Sequence, residues 1–352
     1  MKEFWSRRIR DAVPYIPGEQ PRGRTFIKLN TNECPYPPSP RALEAIRGAA
    51  NESLRLYPDP ECLELRQTIA RRYGLSENQV FVGNGSDEVL AFSFQAFFDP
   101  DREIVFPQVS YSFYPVYTDY FGLRCRRVPM NEDFSDPIDL LCGGNGGVVL
   151  ANPNAPTGIA VGLDTVEKVL KANPDVVVVV DEAYVDFGAE SAVSLIGRYP
   201  NLLVVQTASK SRALAGLRVG WGMGDPNLIN GLRCVRDSIN SYVVDRLAMA
   251  GLKGAMEDEA YFQSVRGKVM ATRERAAGAL TELGFTVLPS RANFLFVSYP
   301  GVPGEQLLKG LREKGILVRW WKDPLISDWL RITVGTDGEM DALLAALKEL
   351  IP

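Results

Sequence analysis

The strongest constraint on the fold is a set of short apolar, mostly β-branched runs at 147–151, 176–180 and 202–206. A strand with one wet face alternates apolar and polar side chains, so a nearly unbroken run marks a strand covered on both faces. Further short strand candidates lie at 79–82, 103–106 and 123–128, with stretches of helical period between them. Strands that alternate with helices and are buried on both sides define a large, doubly wound, mainly parallel α/β sheet. That pattern predicts a large domain over 52–250. The remainder reads as a smaller α/β domain, with an N-terminal arm at 1–51 and the C-terminal third at 251–352. In that third, a long charged helix at 257–283 precedes strands at 285–288, 293–297, 316–320 and 330–334. A helix at 303–314 is ended by Gly315, and a last helix opens on the capping box Thr336-Asp337-Gly338-Glu339. The proline-rich stretch 34–40 is a stiff extended arm leading into a helix.

Composition removes many chemistries. The chain of 352 residues contains no histidine, which excludes Ser-His-Asp and Cys-His hydrolases and every histidine-ligated metal. Its five cysteines (Cys34, Cys62, Cys125, Cys142, Cys234) form no CxxC, so no metal site is expected and a reducing compartment fits. Proton transfer therefore falls to Lys, Asp, Glu, Tyr or Cys. With 39 basic and 43 acidic side chains the net charge is −4, which argues against nucleic acid or an anionic membrane as partner. The apolar run at 342–347 falls far short of a membrane span. The charged stretch 1–10 has no apolar leader core, so a cytoplasmic location is expected.

Three motifs carry chemistry. In Val82-Gly83-Asn84-Gly85-Ser86-Asp87-Glu88, a glycine-rich turn sits between a strand and a helix. The free N–H groups of that helix start suit a phosphate, although Ser86-Asp87 also reads as an ordinary N-cap. Asp181-Glu182-Ala183-Tyr184 follows the run at 176–180, at the carboxyl edge where open α/β sheets bind ligands. A carboxylate there suits a positively charged ring nitrogen and a phenol suits a ring oxygen, with an N-cap and a packed aromatic as the plainer readings. The third motif runs from Thr207 to Gly220 and includes Ser209, Lys210 and Arg218. A lysine amine among small hydroxyl residues and near a second cation can condense with an aldehyde. Thr207, Ser209 and Arg218 add donors for a phosphate.

The string from Ser209-Lys210 to Ala215-Gly216-Leu217-Arg218-Val219-Gly220 resembles the cofactor-lysine signature of fold-type I pyridoxal 5′-phosphate enzymes. Within those, the chain is most similar to the histidinol-phosphate aminotransferases. The resemblance extends through Leu29-Asn30-Thr31-Asn32-Glu33, Leu56-Tyr57-Pro58-Asp59-Pro60, Pro156-Thr157-Gly158 and Leu330-Arg331-Ile332-Thr333-Val334-Gly335-Thr336. It implies that Lys210 bonds the cofactor aldehyde and moves the proton, Asp181 pairs with the ring nitrogen, and Tyr184 bonds the ring oxygen. It implies further that Tyr111 stacks on the ring and that Gly85, Ser86, Asp87, Thr207, Ser209 and Arg218 hold the phosphate. Tyr57 resembles a tyrosine that reaches the phosphate from a neighbouring subunit, which implies a homodimer with shared active sites. Arg331 matches the arginine that clamps an α-carboxylate, and with Arg319 it would form the pair able to grip either a substrate phosphate or the carboxylate of glutamate or 2-oxoglutarate. Tyr36 is a candidate lid contact, with an exposed strand arginine at 319 and simple packing at 36 as the plainer readings.

One departure stands out. Ala155 occupies the place where the family commonly has an asparagine that contacts the ring oxygen, so Asn154 or Asn152 replaces it or Tyr184 acts alone. The Ala155-Pro156 bond is a candidate cis peptide. An aromatic amino acid aminotransferase and a threonine-phosphate decarboxylase use the same cofactor and similar arginines. A non-catalytic nucleotide binder built on Gly83-Asn84-Gly85 is a more distant reading, because Glu88 stands where its third glycine belongs.

Overall fold

The computed structural model describes residues 4–10, 12–21, 23, 25–143 and 145–352; residues 1–3 of the stretch read for a leader lie outside these. In chain order the first strands are β1 (Ile27–Lys28), β2 (Val80–Gly83), β3 (Ile104–Pro107) and β4 (Cys125–Val128). They are followed by β5 (Gly147–Ala151), β6 (Val178–Asp181), β7 (Leu202–Thr207) and β8 (Gly220–Gly224). Seven of them form one sheet in the order β2-β8-β7-β6-β5-β3-β4. The pairs from β7 to β4 are parallel, while β8 runs antiparallel to both β7 and β2.

The apolar runs are covered on both faces, as their composition requires. Val148, Leu150, Val178, Val180, Leu202 and Val204 pack into one core with residues of the helices Leu63–Tyr73, Leu163–Ala172 and Arg246–Met256. Val149, Val179, Leu203 and Val205 point the other way, against the helices Ser86–Phe97, Phe113–Phe121 and Pro226–Ile239. Burial of each such valine contributes about 1.5 kcal/mol or more, so a charge in these runs would unravel the sheet.

Strand β8 is absent from the sequence expectation because three of its five residues are glycine, which weakens strand propensity. The glycine has a steric cause. A Cβ on Gly220 would stand 2.3 Å from the Ser86 backbone nitrogen, so only glycine lets β8 pass under the turn that starts the helix Ser86–Phe97.

The C-terminal third holds β9 (Thr286–Val287), β10 (Phe294–Ser298), β11 (Ile316–Leu317) and β12 (Trp329–Thr333). An antiparallel sheet β12-β10-β9 packs its own core, including Leu295, Leu330, Leu343 and Leu347. The N-terminal arm joins it through β1, which pairs in parallel with β11 (Ile27 with Ile316, Lys28 with Leu317). The strand expected at 316–320 ends at Leu317. The chain then turns toward β12, where Arg319 and Arg331 exchange backbone hydrogen bonds of 3.0 and 2.9 Å. The last helix, Asp337–Lys348, carries the expected capping box on Thr336 and Glu339. The proline-rich arm ends at Ser39, whose side chain caps the helix Pro40–Ala49. Among the described residues, no helix is long and apolar enough to cross a membrane.

Candidate active site

A cavity of about 310 Å³ opens at the carboxyl edge of the large sheet and is closed from above by the N-terminal arm and β12. Asp181 is the last residue of β6, level with Ala151 at the end of β5, so the parallel register delivers its carboxylate to the cavity floor. Its Oδ2 accepts from the Tyr114 hydroxyl at 2.8 Å and its Oδ1 from the Ala183 N–H at 3.2 Å. Among the described residues no cation pairs with it, and burial pushes its carboxyl up to about 6. A buried anion without a counter-ion, facing a cavity, is a receptor for a cationic group.

Lys210 lies in the loop just past β7 and donates to the Thr31 carbonyl at 3.1 Å. Loss of hydration, then the nearby Arg331 guanidinium, push its amine down to about 8. Roughly a tenth of a group with that pKa is neutral at pH 7, whereas an ordinary lysine is almost wholly protonated. Reductive trapping of an aldehyde at Lys210 should therefore speed up about ten-fold per pH unit below 8 and level off above it. A rate that keeps climbing to pH 10 contradicts the depressed amine.

The opposite end of the cavity is built for an oxyanion. The helix Ser86–Phe97 starts at Gly85, at φ +84°, and no side chain caps its first N–H groups. Ser86, Asp87, Thr207, Ser209 and Arg218 all line this end. Thr207 and Ser209 share a hydroxyl contact of 3.0 Å, and Arg218 Nη1 lies 3.5 Å from Ser209 Oγ. A Cβ on Gly85 would stand 2.7 Å from Arg218 Nη2, so the guanidinium reaches the turn only because residue 85 is glycine. Asp87 accepts from the Tyr111 hydroxyl at 2.8 Å and from Arg218 at 3.4 Å, which fixes the Tyr111 ring on the cavity wall.

Tyr184 lines the middle of the cavity. Its oxygen accepts from Asn32 Nδ2 at 2.9 Å, which leaves its own hydrogen free to point at a ligand. Asn32 sits at φ +56° and is pinned by Thr333 and Asn293. At the rim stand Arg319 and Arg331, and no carboxylate among the described residues pairs with either. Arg331 is held by the Asn30 carbonyl at 3.0 Å, and its Nε is buried without a partner.

Four expected positions fall elsewhere. Asn154 does not line the cavity; its Nδ2 is spent on the Val109 carbonyl at 2.9 Å. Asn152 is likewise spent, on both backbone groups of Val161. The amide beside Tyr184 comes from Asn32 instead, while Ala155 itself faces the cavity. Both Asn152-Pro153 and Ala155-Pro156 are cis. Tyr36 is a packing residue rather than a cavity contact, set against the cluster of Ala155, Tyr184 and Phe294 with Lys268 Nζ 5.3 Å from its ring. Tyr57 is 77% exposed, outside the cavity of its own chain, and stacks on Tyr242 at 4.6 Å. Conversely, Tyr15, Asn32, Glu33 and Tyr114 shape the site without having been singled out for a role. For Asn32 and Glu33 the signal lies in the motif 29–33, which by itself names no partner for either side chain.

The fold and this cavity define an aminotransferase. The chain belongs to the aminotransferase class I and II family, whose sequence model matches residues 24–347. Two similar relatives are the histidinol-phosphate aminotransferases of Clostridium acetobutylicum, 52% identical over 351 residues and 100% of both chains, and of Acetobacter pasteurianus, 55% identical over 100% of this chain and 99% of the other. Among solved structures, the histidinol-phosphate aminotransferase of Sinorhizobium meliloti in complex with pyridoxal-5′-phosphate has a TM-score of 0.85 at 28% identity. The match covers 93% of this chain and 92% of that one.

Proposed function

We propose that the chain is a pyridoxal-phosphate-dependent aminotransferase that moves the amino group of histidinol phosphate to 2-oxoglutarate. The observation that carries the reading is one cavity with a depressed lysine amine, a buried carboxylate and an oxyanion cradle at its base, and two arginines at its rim, the carboxylate and the arginines having no ion-pair partner among the described residues. The relatives' shared name supports the choice of substrate.

The residues present fit the cofactor. Gly85 opens the cradle that a Cβ would fill, and Asp181 lacks the cation that its burial calls for. Bound there, pyridoxal 5′-phosphate supplies an aldehyde and a protonated pyridine ring that draws electrons from the reacting carbon. Lys210 Nζ would be the attachment point for that aldehyde and, when free, the base that carries a proton between the substrate α-carbon and the cofactor, in one direction in each half-reaction. Asp181 keeps the ring nitrogen protonated. Tyr184, oriented by Asn32, would donate its free O–H to the ring oxygen, and Tyr111 on the cavity wall would offer its ring for stacking. Ser86, Asp87, Thr207, Ser209 and Arg218 would hold the phosphate through N–H, O–H and guanidinium donors, while Gly85, whose own N–H is bonded to the Gly83 carbonyl at 2.9 Å, leaves room for the turn. Arg319 and Arg331 take the substrate phosphate in one half-reaction and a carboxylate of glutamate or 2-oxoglutarate in the other.

A homodimer fits the exposure of Leu54, Leu56, Tyr57, Ile239 and Tyr242, and Tyr57, stacked on Tyr242, would then reach a neighbour's cradle. A cytoplasmic setting fits five cysteines that form no disulfide.

A panel of single half-reactions tests the substrate. Histidinol phosphate should convert the holoenzyme fully to its amine form, with phenylalanine about a hundred-fold slower because it offers the arginine pair no phosphate. Threonine phosphate should release no carbon dioxide. Faster conversion by phenylalanine or tyrosine would make the protein an aromatic amino acid aminotransferase.

A further inference from the structure

We infer that Trp321 is a positioning residue that holds Arg319 and Arg331 as a charged pair open to substrate anions, with its indole face standing where a carboxylate counter-ion would otherwise stand. The inference rests on reading these arginines as the anion grip.

Two guanidinium groups at one rim repel each other, and the usual remedy is a carboxylate between them. Such a carboxylate would fix the pair and also neutralise it, so an arriving phosphate would have to displace it. Among the described residues, this rim uses only neutral partners. The Arg319 Cζ lies 5.4 Å from the centre of the Trp321 ring and the Arg331 Cζ 5.3 Å from it, so one indole serves both cations. The Phe294 ring takes a second side of Arg331 at 5.4 Å. Arg319 Nη2 donates to the Ile16 carbonyl at 2.9 Å, and Arg331 Nη2 to the Asn30 carbonyl at 3.0 Å. None of these contacts removes charge. The reciprocal backbone bonds between residues 319 and 331 fix where both side chains begin, and the indole fixes where they end.

Trp321 is itself anchored away from the cavity. It packs on the small cluster of Val109, Phe296 and Ile326 and does not line the site, so it acts on substrate through the arginines. A π-face attracts cations without competing for anions, which suits a grip that must release a phosphate ester and then accept a dicarboxylate in each cycle. Burial and the neighbouring Arg319 both bear down on the charge of Arg331, and this is the cost that the indole offsets.

The test compares wild type, W321L and W321F as cofactor-loaded holoenzymes. Leucine keeps apolar packing without the π-face, and phenylalanine restores a ring. Dissociation constants for inorganic phosphate and for succinate, an unreactive dicarboxylate, are read by titration calorimetry, and kcat at saturating substrate is measured beside them. W321L should bind both anions about ten-fold more weakly, W321F within about three-fold of wild type, and kcat should move less than about three-fold in either. Binding by W321L within two-fold of wild type overturns the inference. So does W321F as weak as W321L, since side-chain volume would then be the cause, or a wild type that binds neither anion. These titrations need no turnover of histidinol phosphate. A failed substrate panel with a ten-fold effect here therefore sinks the substrate reading alone.

Discussion

Lys210→Ala should lose at least about a thousand-fold in turnover, and its cofactor should wash out on gel filtration where the wild type keeps it. The expectation follows from the poverty of alternatives. The chain has no histidine, and no second lysine is among the described residues lining the cavity. Asp87 and Asp181 are committed to Tyr111 with Arg218 and to Tyr114 with the Ala183 N–H. Lys210→Arg separates charge from nucleophilicity. A guanidinium keeps the positive charge but stays protonated at all working pH, so it should be as inactive as alanine. Activity of the arginine variant within ten-fold of wild type would mean that the charge, and not the neutral amine, is what the site needs.

Asp181→Asn should lower kcat about a hundred- to a thousand-fold with little change in KM, as expected when a buried charge acts on the reacting system but not on substrate capture. Asparagine has nearly the same shape and can still accept from Tyr114, so the variant removes charge while leaving the packing of β6 intact. Tyr114→Phe is the natural control: it takes away one hydrogen bond to the carboxylate and should cost only about ten-fold. A single-turnover trace with substrate in excess distinguishes the cases. If Asp181→Asn slows that trace no more than Tyr114→Phe does, the carboxylate is not holding a cationic ring nitrogen.

What could be read in the sequence divides along physical lines. The buried strands announce themselves, because a run such as Val178–Val180 has no other stable place than between two helical layers. Residues at or just past the ends of those strands, Asp181 closing β6 and Lys210 in the loop after β7, are carried to the cavity by backbone geometry alone. The sequence does not reveal contacts between distant segments. Asn32 reaches Tyr184 across 152 positions, and nothing local to either residue signals it. The same limit applies to the amide expected from Asn154 or Asn152: the Asn154 amide braces Val109, the Asn152 amide is bonded to Val161, and the amide beside Tyr184 comes from the N-terminal arm. Strand β8 is hidden because three of its five residues are glycine, and Gly220 among them answers to the Gly85–Ser86 turn pressed against it, a steric demand that only three dimensions display.

The most direct measurement is borohydride reduction of the purified holoenzyme followed by peptide mapping. The account predicts a single stable adduct of pyridoxal phosphate on the Lys210 side chain, with loss of the visible absorption band in step with loss of activity. An adduct on another lysine, such as Lys28 beside the cavity rim, or full activity after complete reduction, would contradict it.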